Sequence, residues 1–145
     1  MHSPIIPSVS FFYEVPVALK HRTALKEFIQ VIFRREKVKL AGLNYIFCSD
    51  QRLLEINRQF LQHDYFTDII TFELSAPKDP VEGEIYISID RVRENAQHHA
   101  SSFTRELHRV IFHGVLHLCG YKDKTTLEEK VMREKEDHYL KRYFQ

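Results

Sequence analysis

Two histidines four residues apart, His113 and His117, are the residues of this sequence best spaced for chemistry. On a helix, positions four apart share one face with Cβ atoms about 5–6 Å apart, so both imidazoles can reach a single metal ion. Gly120 is suited to end such a helix in the left-handed conformation, and the reversal it permits swings Asp123 back as a third, carboxylate ligand. Three protein ligands leave the fourth place of a tetrahedral zinc open for water, the arrangement of a hydrolytic rather than a structural site. Histidine pairs at this spacing also arise by chance in a chain with nine His. The glycine and the carboxylate beyond it set this pair apart, because together they reproduce the spacing of a zincin-type helix whose third ligand lies past a turn. In peptidases with an HExxH helix the residue after the first histidine is a glutamate base. Here that residue is Gly114, which has no side chain to accept a proton and so disfavours peptide hydrolysis. One ion per chain is expected, Zn2+ first, with Ni2+ or a similar imidazole-binding ion left open.

The elements that must position these residues follow from local pattern. Val9–Glu14 is β-branched and aromatic and reads as a first strand, with Pro16 beyond it as punctuation. From Lys20 to Glu36, Leu25, Phe28, Ile29, Ile32 and Phe33 recur at the spacing of one helical face. Leu43–Cys48 is a second strand, after which Ser49 or Asp50 caps a short helix carrying Leu53, Leu54, Ile56 and Phe60. Ile69–Leu74 and Glu84–Ile89 are third and fourth strands separated by a loop at Ala76–Pro80. Asp90 is placed to cap a helix to about Ala100, and Thr104 to begin the histidine helix that runs to Cys119. A charged last helix from about Thr125 offers Leu127, Val131, Leu140 and Tyr143 as inward contacts. The expected fold is α+β: one domain over residues 1–145, with a small mixed sheet of about four strands and about five helices, one of them a zincin-like metal helix.

Composition limits the function classes. At 145 residues with 43% hydrophobic residues the chain buries enough surface to fold without a structural metal or disulfides, so a metal site would be functional. The 21 Lys and Arg against 20 Asp and Glu exclude a protein that coats nucleic acid by overall charge and leave only local patches for that task. No stretch approaches the roughly 20 apolar residues of a membrane span, and no basic region precedes an apolar run at the start. Cys48 and Cys119, only two and far apart, read as buried thiols of a reducing compartment, which makes the cytoplasm the expected location.

Three segments in order carry a family resemblance. Arg105-Glu106-Leu107 leads into His113-Gly114-x-Leu116-His117-Leu118-x-Gly120-Tyr121; upstream stand Asn57, Asp64 and Thr67-Asp68-Ile69-Ile70-Thr71-Phe72, then Gly83-Glu84-Ile85-Tyr86-Ile87-Ser88. This arrangement resembles the YbeY family of bacterial zinc-dependent endoribonucleases. The resemblance implies a single-strand-specific endoribonuclease of 16S ribosomal RNA 3′-end maturation and ribosome quality control, with ribosomal RNA and ribosomal particles as partners. His113, His117 and Asp123 are then both metal ligands and catalytic residues. Two positions depart from the family. Asp123 stands where most relatives have a third histidine and is preceded by Lys122, and Leu61 stands where many have an arginine thought to contact phosphate. A carboxylate ligand makes the ion a weaker Lewis acid than a third imidazole does.

Without that arginine, cations for RNA must come from elsewhere. Lys20, Arg22, Lys26, Arg34, Arg35, Lys37 and Lys39 face only Glu27 and Glu36 and form the candidate phosphate-binding stretch, although a charged outer helix face is commonly just solvated. Asp68 and Thr71 are assigned support near the cleft, whereas His63, His98, His99 and His138 stand at unmatched spacing and receive no role. Two further readings stay open: a ribosome-associated RNA-binding module whose metal is structural, and a metallopeptidase whose base lies outside the motif. The sequence is silent on oligomeric state, and a monomer is the expected default.

Overall fold

The computed structural model describes residues 6–145. Its elements are β1 (Ser8–Tyr13), α1 (Arg22–Arg35), β2 (Leu40–Cys48), α2 (Asp50–Leu61), β3 (Ile69–Glu73), β4 (Val81–Ser88), α3 (Ile89–His98), α4 (Phe103–Leu118) and α5 (Thr126–Tyr143). The expected four-stranded mixed sheet with five helices, an α+β fold, is what forms. Strand order is β1-β2-β4-β3, with β1, β2 and β4 parallel and β3 antiparallel to β4 at an edge. The parallel pairing of β1 with β2 requires a crossover, which α1 supplies. Period-two alternation splits the sheet. Leu43, Tyr45, Phe47, Ile85 and Ile87 point to one face, where Leu25, Ile29, Ile32 and Phe33 of α1 and Ile111, Phe112 and Val115 of α4 close the main core. Cys48 and Ile70 point to the other, against Leu53 and Ile56 of α2.

The sequence pattern errs mainly at element ends. β2 begins at Leu40 rather than Leu43, because the strand continues through Gly42 with a register shift. Ser88, not Asp90, caps α3, its hydroxyl accepting from the Arg91 amide, while the Asp90 carboxylate instead accepts the amide of Asp50. Ser102 caps α4 in the same way, and that helix begins at Phe103 rather than Thr104. In α5 the inward residues are Met132, Glu136, Tyr139 and Leu140; Leu127 (71% exposed) and Val131 face solvent, and Phe60 of α2 is likewise exposed. Leu140 and Tyr143 do contact the core as expected.

Helix α4 lies unusually close on the sheet because glycines stand at the contact. A Cβ at Gly114 would sit 2.7 Å from Ile85 Cδ1 and 3.1 Å from Ile69 Cδ1, and one at Gly83 would sit 2.9 Å from Leu118 Cδ1. Position 114 therefore points into the sheet, which is why the slot of an HExxH glutamate is filled by a residue without a side chain. The Tyr45 hydroxyl donates to the Ile111 carbonyl at 2.8 Å and fixes the same helix from below. Branched atoms at position 114 must displace fully buried isoleucine, so Gly114→Val is expected to cost about 3 kcal/mol, at the upper end of overpacking. Leu127→Ala should stay within about 0.5 kcal/mol. Urea unfolding midpoints of the two variants check both values.

Candidate metal centre and its cleft

The end of α4 is built from backbone before any ligand is placed. The Gly120 amide donates to the His117 carbonyl at 3.0 Å and the Tyr121 amide to the Leu116 carbonyl at 3.0 Å, the paired bonds of a Schellman close, with Gly120 at φ 103°. Five residues on, Thr125 caps α5 in a reciprocal capping box with Glu128. The segment between is pinned at both ends and carries Asp123 back over the last turn of α4.

There Asp123 Oδ2 lies 3.2 Å from His113 Nε2 and 3.3 Å from His117 Nε2. The two rings stand nearly perpendicular, 85° apart with centroids at 4.5 Å. One ligand atom from each of the three residues falls within 4.8 Å of the others, so one ion could touch all three. The remaining ring nitrogens are already engaged. His117 Nδ1 lies 2.9 Å from the Tyr121 carbonyl, which can only accept, so Nδ1 carries the proton. His113 Nδ1 lies 2.6 Å from the Glu136 carboxylate and donates there. A neutral ring so bonded presents a bare Nε2, the form a metal needs.

Both partners are themselves held. Glu136 is buried (4% exposed) and accepts from Arg109 at 2.9 Å, while Arg109 also donates to Asp137 at 2.7 Å. Tyr121 donates its hydroxyl to Glu36 at 2.7 Å, and Tyr139 donates to the same carboxylate, with Lys135 beside it. Burial pushes Glu36 up, but the hydrogen bonds from Tyr139 and Tyr121 and the charge of Lys135 outweigh it and hold the carboxyl below its ordinary range. Burial alone likewise would push His113 down. The hydrogen bond to Glu136 and the negative charges of Glu136, Asp68 and Asp123 win and raise it. A field that favours an imidazolium favours a divalent cation in its place, so the donor set and its surroundings fit a metal ion.

Glu136, Arg109 and Glu36 were missed from sequence because none stands at ligand spacing. One signal existed: Met132, Glu136, Tyr139 and Leu140 recur as an inward stripe, and a glutamate inside an apolar stripe needs a buried partner.

The three candidate ligands open into a cavity of about 870 Å³ between the end of α4, edge strand β3 and the α2–β3 connection. Asp68 and Thr71 also line it, and burial raises the Asp68 carboxyl. His63, given no role from spacing, lines it together with Tyr65 and Lys124. None of the seven cations from Lys20 to Lys39 lines this cavity. Lys20 precedes α1; Arg22 and Lys26 lie over the rings of Tyr13 and Phe11; Arg34, Lys37 and Lys39 border a separate hollow beside Phe33 and Pro80. Arg35 ends α1.

Comparison with known proteins places this geometry. The sequence pattern of the family described as Endoribonuclease YbeY matches residues 14–144. The chain belongs to the YbeY endoribonuclease family. A YbeY endoribonuclease of Cytophaga hutchinsonii is 53% identical over 134 residues, covering 92% of this chain and 94% of that protein. One from Flavobacterium psychrophilum is 47% identical over 133 residues, covering 92% and 94%. The solution structure of TM1509 from Thermotoga maritima superposes with a TM-score of 0.64 at 32% identity, covering 94% of this chain and 89% of that one. Membership in the YbeY family makes the chain a hydrolase of the nuclease class, in keeping with a three-ligand centre beside an open cavity. No helix among the described residues is long and apolar enough to cross a membrane.

Because Glu136 fixes the proton on His113 Nδ1, Glu136→Gln is expected to weaken zinc binding about 10- to 100-fold, and Glu136→Ala at least as much, since it also strips Arg109 of a partner. Competition with a chromophoric chelator measures both.

Proposed function

We propose that this chain is a metal-dependent, single-strand-specific endoribonuclease in which His113, His117 and Asp123 hold one divalent ion, Zn2+ first among candidates. The observation that carries the reading is the convergence of two Nε2 atoms and one carboxylate oxygen beside an open cleft, in a chain of the YbeY family. An ion held there polarises a phosphoryl oxygen and acidifies water, which is the chemistry that phosphodiester hydrolysis needs. The chain's own residues do the rest. His113 and His117 keep their protons on Nδ1 and their free nitrogens on the cleft. Asp68 and Thr71 line the same cleft, where the carboxylate can accept from a base and the Thr71 hydroxyl can donate to a bound strand. Lys124 in the cleft lining is placed for a phosphate, and the Lys20–Lys39 cations serve RNA that extends beyond the cleft.

The family supports a place in ribosomal RNA maturation at the 16S 3′ end and in ribosome quality control, with ribosomal particles as partners. Residues 1–145 then work as one domain in the cytoplasm, as a monomer. A peptidase finds no support at Gly114, whose Cβ direction runs into Ile85 and Ile69 rather than the cleft.

His113→Ala, His117→Ala and Asp123→Ala should each lose zinc and drop cleavage of a single-stranded RNA to background while keeping the circular dichroism of the parent. Elemental analysis and a labelled-RNA cleavage assay read the two quantities, and cleavage retained by a metal-free variant would remove the assignment.

A further inference from the structure

Between residues 60 and 66 the chain exposes Phe60, Leu61, Tyr65 and Phe66, and of these Leu61 and Tyr65 line the cleft. Two of the rings are engaged locally. Phe60 meets the edge of Phe72 at 6.1 Å, and Phe66 lies under the guanidinium of Arg91 at 5.4 Å. Tyr65 is different: it is 55% exposed and lines the cavity that holds the metal-ligand candidates.

Tyr65 is also held in place. The His63 imidazole stacks on it, with centroids 5.1 Å apart and planes 22° from parallel, and the tyrosine hydroxyl bonds His63 Nδ1 at 2.9 Å. Its carbonyl accepts from the side chain of Asn57 at 3.0 Å, and Asn57 is buried (1% exposed). The Asn57 carbonyl in turn accepts the His63 amide at 3.1 Å, closing the turn that Gln62 makes at φ 55°. A flat, pre-ordered aromatic surface costs little entropy to use.

The charge around it decides what the surface takes. Asp68, Glu73 and Asp123 line the cleft together with Tyr65, so a phosphate needs a cation to enter it, whereas the amino edges of a base find acceptors. A nucleotide entering this cleft therefore turns its base to Tyr65 and its phosphate to the ion that His113, His117 and Asp123 would hold. We propose that Tyr65, backed by His63, is a stacking subsite for one unpaired base of an RNA strand next to the phosphate that is cut. A base within a duplex is already stacked on both neighbours and cannot enter, so the subsite selects single strands. This inference rests on the endoribonuclease reading above.

The test uses the full-length, zinc-loaded protein and a short 2′-O-methyl RNA that carries 2-aminopurine and resists cleavage. Stacking quenches its fluorescence. The parent and Tyr65→Phe should quench and bind alike, whereas Tyr65→Ala should lose the quenching and bind about ten- to a hundredfold more weakly, with zinc content and thermal midpoint unchanged. On cleavable single-stranded RNA its KM should rise with kcat little altered. Tyr65→Leu keeps apolar bulk without a flat ring and should behave as Tyr65→Ala; full binding by either variant overturns the subsite while cleavage leaves the nuclease reading intact. A parent protein that neither binds nor cuts RNA overturns both.

Discussion

An imidazole can serve a metal only through a nitrogen that carries no proton, and in this chain that condition is met by what the other nitrogen touches. His113 gives its Nδ1 proton to Glu136 and His117 gives its own to the carbonyl of Tyr121, so both Nε2 atoms turn to Asp123. Each acceptor is anchored in turn, Glu136 by Arg109 and Tyr121 by the carboxylate of Glu36. The centre therefore draws on α1, α4, α5 and the turn after Gly120, and a fault in any of them reaches the same two nitrogens.

The scaffold leaves room for this by close approach. Gly114 and Gly83 let α4 settle onto β4 and the edge strand β3, which sets the histidine face of the helix against one wall of the cleft. That packing also separates the site from an HExxH peptidase centre. The residue after the first histidine is committed to the sheet and offers the cleft no side chain. Carboxylates dominate the surroundings, and the charge they place on the site raises the His113 imidazole and suits a divalent ion.

Much of this was legible in the sequence where the signal is local. The His113–His117 spacing, the Gly120 stop, the Asp123 return and the strand periodicities need only nearest neighbours along the chain, and the structure brings those residues together. Element ends were harder, because Ser88 and Asp90 are equally good caps until one knows that Asp90 is already bound to the amide of Asp50. Long-range pairing was hidden altogether. In α5 a glutamate occupies the inward stripe, so hydropathy favoured Leu127 and Val131, which face solvent, over Glu136, which bonds His113 of α4. His63 looked incidental for the same reason: only the fold brings the α2–β3 connection to the cleft.

The most direct test is the protonation pattern of the two rings, read from long-range proton–nitrogen correlation of the imidazoles as zinc is added. The account predicts that in both His113 and His117 the Nδ1 proton persists and that only Nε2 moves to a metal-bound shift, with saturation at one equivalent. Binding through Nδ1 in either ring, or a ring that zinc leaves unmoved, would contradict it.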